Sequence, residues 1–525
     1  MKINLKSKTM NTVARGFVFV LGVSLFTGCT EENVLDLEPF NQASEAAAFS
    51  TPALIELSVT GMYNAAQLGY YLLPTGPQYR GYPFGAASIQ QGDNRGEDVV
   101  NTQTFYQLTY TATYDPSTAN NVYMWSDSYR LINRANIILE GVATAVANGV
   151  ITQEVANDHI GQAKFLRAIT HLELISHFAK PYNHTAGATH LGIPYRLTAI
   201  NTQEGVEEAL NQPRNTVFDV YEKIIADLDD AEELLRSRTG RAAIVRATPE
   251  AAIAYKTRAY LHMMTPAAWQ NVITEGEKII GEFDLEDNPN TPFASGYNNS
   301  ESIFSMENSA NTNPGVNAAL ASQYNNRGLV VISPIVWRNE FWLADDLRRD
   351  SGLVRHDPSG VKYTNKYKDI TNYSDATPLM RYAEVLLNMA EAHARLGELE
   401  QGLSYLNEVR DRSLANPETQ SYTGFGSAAE LVRAIIAERR IEFVMEGKRW
   451  QDIHRLQLDD IINYDGIPAK VANGFPPASA YELGTPYTGP YGVEAIPYDD
   501  YRFLWPIPQQ EMNNNNSLEQ NPGWE

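Results

Sequence analysis

The sequence predicts a mainly α-helical protein, a scaffold of about four helical hairpins interrupted by large irregular insertions. Three features lead to this fold class: apolar residues recurring at helical spacing in paired runs, capping residues where those runs begin, and two long tracts without periodicity that are rich in Gly, Pro, Tyr and Asn. Thr51-Pro52 opens the first helix, which carries Leu54, Leu57, Val59 and Met62. After loop-like residues 69–121, helices return at about 122–148 and 152–178, the second with Thr152 as N-cap and ending before Pro181. The next pair spans about 216–237 and 248–264, with Thr248 as cap and Pro249 at the first helical position.

The clearest repeat unit lies at 381–410. Tyr382, Val385, Leu386 and Met389 form an i, i+3, i+4, i+7 stripe, Gly397 breaks the helix, and Leu399, Leu403 and Leu406 restart it. With alanines at 390 and 392, this is a tetratricopeptide-like hairpin, which must stack on others to bury its faces. The spacing of the pairs is far from an even 34-residue array, which points to a solenoid with insertions. A further helix at about 428–446 is introduced by Ser427 and Glu430 in capping-box spacing. Arg439 falls on its apolar stripe and needs a buried carboxylate; Glu391 is the expected partner.

The N-terminus has the form of a secretory leader. Lys2, Lys6, Lys8 and Arg15 precede an apolar run over residues 16–27 that is too short to span a bilayer. It stops at Phe26-Thr-Gly-Cys29, similar to a lipobox except that Phe26 replaces leucine, with the protein's single cysteine as the acylation site. Residues 1–28 are thus expected to be removed, residues 29–48 to form a tether, and residues 49–525 to form one domain. Loss of four basic and no acidic residues takes the formal charge from −22 to −26, which argues against nucleic acid as a partner. A secreted chain with one cysteine has no internal disulfide, so its core must carry its stability.

No catalytic constellation stands out. Gly424-Phe-Gly-Ser-Ala-Ala429 follows a loop instead of a strand and is a turn into the capped helix. Glu173 and His177 are one helical turn apart without a third metal ligand. Asp345-Asp346 and Asp499-Asp500 could in principle supply a glycosidase's carboxylates, but one sequence cannot show the set separation catalysis needs, and solvated charges and helix caps are the better reading. Asp93-Asn-Arg-Gly-Glu-Asp98 is dense in oxygen ligands, yet Arg95 stands where a calcium loop wants an acid; no cofactor is expected, and calcium is the one option this segment leaves open.

A family resemblance rests on particular motifs. Arg381-Tyr-Ala-Glu-Val-Leu-Leu-Asn-Met-Ala-Glu-Ala392, Glu438-Arg-Arg-Ile-Glu-Phe443, Glu446-Gly-Lys-Arg-Trp-Gln-Asp-Ile-His-Arg455, Leu504-Trp-Pro-Ile-Pro-Gln-Gln-Glu511 and Gln520-Asn-Pro-Gly-Trp524 resemble the C-terminal signatures of SusD/RagB proteins. Trp125 through Asn136 and Ala163-Lys-Phe-Leu-Arg-Ala168 resemble that family's first two long helices, and Gly192-Ile-Pro194 the turn that follows. Met389 stands where tyrosine is commoner. The resemblance implies a non-enzymatic lipoprotein of the outer membrane, exposed at the cell surface. Such a protein captures oligosaccharides and passes them to a SusC-like TonB-dependent outer-membrane transporter, with the irregular segments as the ligand face. Peptide capture by the same architecture, or a tetratricopeptide-like scaffold that binds only proteins, are the alternatives; an acidic surface suits basic peptides.

Sugars pack their C–H faces on aromatic rings and their hydroxyls on planar polar groups, so a glycan site should interleave the two. Two insertions do so. The first, Tyr70 to Tyr114, offers Tyr79, Tyr82, Asp93, Asn94, Arg95 and Tyr106, with Asp93 and Arg95 favoured as a charged pair in a Gly-flanked loop. The second, about 293–342, offers Tyr297, Tyr324 and Trp337, although Trp337 and Trp342 are core residues if 334–347 is helical. Trp269, after Thr265-Pro266, is a third location.

Overall fold

The structure is a computed structural model that describes residues 45–73, 76–294 and 296–525. The leader, Cys29 and the tether up to residue 44 lie outside the described residues; the last four residues of the expected tether, Glu45–Ala48, form one helical turn.

Local signals set the helix starts. In α1 (Pro52–Leu68) the Thr51 hydroxyl accepts from the Leu54 amide at 3.3 Å and Pro52 occupies the first turn. Its inner face is Ile55, Val59, Met62 and Tyr63, whereas Leu57 is 63% exposed and leaves the expected stripe. Residues 69–121 are not all loop: they contain α2 (Ala87–Arg95) and the strand β1 (Val99–Asn101). The long helices α3 (Ala119–Ala147) and α4 (Gln153–Phe178) follow, then α5 (Val217–Leu234), α6 (Pro249–Met263) and α7 (Pro266–Glu277). Thr152, Thr216, Thr248 and Thr265 cap α4 to α7 through their hydroxyls. The strands β2 (Ser302–Met306), β3 (Val330–Ile332) and β4 (Thr377–Arg381) precede α8 (Tyr382–Arg395), α9 (Leu399–Asp411), α10 (Ala428–Glu442) and α11 (Arg449–Arg455).

From α3 to α9 each helix packs on the next in sequence, and α10 closes the stack against α8 and α9. α4 has α3 on one side and α5 on the other, and nearly every residue from Gly161 to Phe178 is buried. Its polar residues are satisfied inside the stack. The Arg167 guanidinium donates to both Asp227 oxygens of α5 and to Asn136 Oδ1 of α3, each at 2.7 Å. Three helices are thereby joined through one buried cation.

The α8–α9 hairpin breaks at Gly397, whose φ of +87° is a backbone state that favours glycine. α10 ends at Glu442, earlier than the periodicity predicts, with Phe443 as its C-cap. The Ser427 hydroxyl accepts from the Glu430 amide, and the Glu430 carboxylate reaches back to the Gly426 amide. The expected Arg439–Glu391 pair does not form. Arg439 Nε donates to Asp452 at 3.0 Å and Nη1 to Asn388 Oδ1 at 2.7 Å, while Glu391 accepts from Arg455 at 2.7 and 2.6 Å and from Arg395 at 2.8 Å. The short helix α11 brings Asp452 beneath Arg439 and Arg455 over Glu391, a pairing that the helix spacing of α8 and α10 alone does not contain. Burial opposes ionisation of Glu391, but the charges of Arg455 and Arg395 outweigh it and hold its carboxyl well below the ordinary range.

Candidate ligand-binding cleft

The first insertion is pinned to the scaffold through α2. A Cβ on Gly92 would lie 2.0 Å from the Gly447 carbonyl oxygen, and Gly447 itself has φ of +75°. Only glycine at both positions permits this backbone approach. The rest of the Asp93–Asp98 segment is consumed in the same contact. Asp93 accepts from the Gly447 amide at 2.8 Å and from the Tyr324 hydroxyl at 2.9 Å. Arg95, 1% exposed, lies 3.4 Å from the Trp450 ring centroid and 4.9 Å from that of Trp505. It donates to the Phe503 carbonyl at 2.6 Å and meets His177 Nδ1 at 2.9 Å. Glu97 pairs with Arg449, and Asp98 with Arg440.

These positions correct the expectation that Asp93, Asn94 and Arg95 face a ligand from a loop: they belong to a helix and are buried. Asn94 donates to the Gln90 carbonyl at 2.7 Å. Burial raises the Asp93 carboxyl to about 7 and lowers the Arg95 guanidinium to about 10. For Glu97, burial opposes ionisation, but Arg449 and Arg440 outweigh it and keep the carboxyl below its ordinary range. The carboxylates of this segment are therefore engaged by protein donors, and among the described residues no group of three or more His, Cys, Asp or Glu is placed to hold a metal ion.

The second insertion is tied to the first by an antiparallel pairing, Val99 opposite Ile332, Val100 opposite Val331 and Asn101 opposite Val330. Thr102 extends it, its amide donating to Leu329 O at 2.9 Å and its hydroxyl to Gly328 O at 2.7 Å. Tyr106 donates to Gln323 Oε1 at 3.2 Å and Gln90 to the Ala318 carbonyl at 3.0 Å. Tyr324 is wholly buried, as is most of Trp337, whose indole N–H donates to the Tyr481 carbonyl at 3.2 Å. Both are core residues, since their polar atoms are spent on Asp93 and Tyr481. Only Pro334–Trp337 of the 334–347 stretch is an α-helix.

Where the two insertions meet the start of α3, an open cleft of about 170 Å³ is lined by Arg80, Tyr82, Phe105, Tyr106, Tyr123 and Asn317, with Gln90 and Asn120 among the remaining polar groups. Tyr82 and Tyr106 are the two expected site residues that the fold brings together here. The Tyr82 hydroxyl donates to Asn120 Oδ1 at 3.1 Å, and its ring lies 6.4 Å from that of Tyr123 at an angle of 39°. Phe105 meets Tyr106 edge-on, 4.8 Å between centroids. The guanidinium carbons of Arg80 and Arg327 stand 5.5 and 5.7 Å from the Phe105 centroid, and Arg327 also donates to Asn317 Oδ1 at 3.3 Å. Burial holds the Tyr106 phenol well above its ordinary range, so it acts as a neutral hydroxyl. The volume is below the roughly 300–1,000 Å³ of sites that enclose a small molecule, so a ligand here rests on a platform instead of being engulfed.

The other expected residues lie elsewhere. Tyr79 precedes the cleft residue Arg80 and is 44% exposed. Tyr297 is half-buried, with its hydroxyl 3.0 Å from the Asn308 amide and Arg241 4.7 Å from its ring. Trp269 sits half-buried on α7 with Arg395 5.4 Å from its ring. Neither lines the cleft. Sequence reasoning missed Asn120 and Tyr123: both lie past Tyr114, the expected end of the first insertion, Asn120 in the last residues of the loop-like stretch and Tyr123 in the helix expected from about 122; the polar run Ala119-Asn-Asn-Val-Tyr123 was the available signal.

The geometry can be set beside known proteins. A family model described as the SusD family matches residues 353–524, and one described as starch-binding associating with outer membrane matches residues 35–261. SusD-like protein P2 of Formosa agariphila is 27% identical over 465 residues, 76% of this chain and 80% of its own length. A crystal structure of a SusD superfamily protein from Bacteroides fragilis, 27% identical, superposes with a TM-score of 0.74 over 90% of this chain and 99% of that one. A SusD-like carbohydrate binding protein from Bacteroides vulgatus shares the fold at 21% identity, with a TM-score of 0.71 over 89% and 97% of the two chains. The helical stack, the C-terminal motifs that grip α2 and these matches agree: the chain belongs to the SusD family.

Proposed function

We propose that this protein is a non-catalytic glycan-capture lipoprotein of the outer membrane. Residues 49–525 form one binding domain, held at the cell surface through acylated Cys29, which delivers oligosaccharides to a SusC-like TonB-dependent transporter. The observation that carries this is the cleft itself. Separate insertions and the start of α3 converge to set aromatic faces beside planar amide and guanidinium groups on an open surface, as stacking on a sugar requires. Phe105, Tyr82 and Tyr123 supply the rings, and Asn120, Gln90, Asn317 and the arginines the hydrogen bonds.

Capture is supported by the cleft lining, which offers aromatic, amide and guanidinium groups. Three of the four aspartates in the acidic pairs noted in the sequence have protein partners: Asp346 binds Arg348, Asp500 binds Arg502 and Asp345 accepts from Gln420. The likeness to proteins described as carbohydrate binding and as associating with the outer membrane supports substrate class and location. Among the described residues no helix is long and apolar enough to cross a membrane, which is compatible with a lipid anchor. Titration calorimetry of the mature protein against oligosaccharides and mixed peptides tests the proposal. Heat with glycans, lost in Phe105→Ala, is expected; heat with peptides alone, or shortening of a glycan by the purified protein, contradicts it.

A further inference from the structure

We infer that the cleft selects anionic glycans, those carrying a uronate carboxylate or a sulfate ester, over neutral ones. The inference rests on the glycan-binding role proposed above and adds the charge of the sugar. Two guanidinium groups, from Arg80 in the first insertion and Arg327 in the second, approach the same ring, that of Phe105. A pyranose packed against Phe105 is therefore flanked by two cations.

Arg327 is exposed and donates to two neutral acceptors, the Val316 carbonyl at 3.4 Å and Asn317 Oδ1 at 3.3 Å. Both bonds are long and leave the guanidinium edge available to a stronger acceptor. A planar guanidinium presents a fork of donors that matches a carboxylate or sulfate, and a charged partner forms shorter, stronger bonds than a hydroxyl. This basic spot lies in a protein whose formal charge is −22, so it is not a sample of the general surface. The repulsion of distant carboxylates is screened within about 10 Å at ordinary ionic strength, whereas the two arginines act at contact. The same arrangement disfavours basic peptides.

The test compares matched pairs: an oligogalacturonide with its methyl-esterified form, and a sulfated galactan oligosaccharide with its desulfated form. Calorimetry on the mature full-length protein is expected to show one acidic member binding about tenfold tighter than its neutral counterpart, with the advantage shrinking as salt is raised. Which pair responds distinguishes carboxylate from sulfate. An Arg80→Gln/Arg327→Gln double variant should bring the two members of that pair to within about twofold of each other. Equal affinities within both pairs in the unmodified protein, preference that survives the double variant, or binding of neither acidic probe would each overturn the inference. Neutral binding that depends on Phe105 but shows no charge preference removes this inference alone. Binding of any glycan that is indifferent to Phe105→Ala removes the cleft assignment beneath it.

Discussion

Two stretches of one insertion use the same kinds of residue and end in opposite places. Arg80, Tyr82, Phe105 and Tyr106 line an open cleft, whereas Asp93, Asn94, Arg95, Glu97 and Asp98, between them in sequence, are buried against the C-terminal motifs. The difference is not composition but partners. Asp93–Asp98 meets Gly447, whose amide donates to Asp93, Arg440 and Arg449, which pair with Asp98 and Glu97, and Trp450 and Trp505, which stack on Arg95. Beside Phe105 stand the guanidinium groups of Arg80 and Arg327, and the described residues of the cleft lining are aromatic, amide, alanine and arginine side chains. A motif that looks like a binding loop can thus be the clasp that holds the real binding surface in place.

The contrast breaks most visibly at Arg95. Arg95→Ala removes a desolvated cation–π contact and two buried hydrogen bonds, and should cost about 3–5 kcal/mol of stability, read as a large fall in the thermal midpoint. A midpoint close to the unmodified protein's would mean that the clasp is not structural. Tyr324→Phe takes one donor from the buried Asp93 carboxylate and should cost about 1–3 kcal/mol in denaturant unfolding while leaving glycan affinity intact. On the other side, Phe105→Ala should weaken glycan binding about tenfold to thirtyfold, roughly 1.4–2 kcal/mol, with little change in stability.

A subtler check uses pH. Asp93 titrates at about 7 in the folded protein against an ordinary 3.8, so between those values the folded form holds a proton that the unfolded form has lost. Its contribution to stability is complete below about pH 4, declines as pH rises and is gone above about 7. Stability of the unmodified protein minus that of Asp93→Asn should therefore fall across this window; a flat difference would place the carboxylate in water. The smallest effect is expected at Trp269, which lies on α7 outside the cleft: Trp269→Ala should leave glycan affinity within about twofold.

Much of the scaffold was legible because its signals are local. Thr51, Thr152, Thr248 and Ser427 cap the helices they were expected to cap, and Gly397 sits at the hairpin break. The cleft was legible only as a neighbourhood. Both insertions were identified, but of ten named ligand candidates only Tyr82 and Tyr106 line it, and Asn120 and Tyr123 lie past the first insertion's expected end, at the start of α3. The partner of Arg439 was misassigned for a related reason. Its carboxylate, Asp452, comes from a short helix beyond the turn that follows α10, while the expected Glu391 is claimed by Arg455 and Arg395.

The sequence by itself determined where helices start and stop, that they pair, and which tracts interrupt them, since caps, breakers and apolar periodicity act within a few residues. Only the tertiary structure decided which charges are structural and which face solvent. Asp93 and Gly447 are 354 residues apart and Arg95 and Phe503 are 408 apart, yet these contacts turn an apparent ligand loop into buried architecture. A buried charge is stable only where its partners meet it, and that meeting is a property of the folded chain.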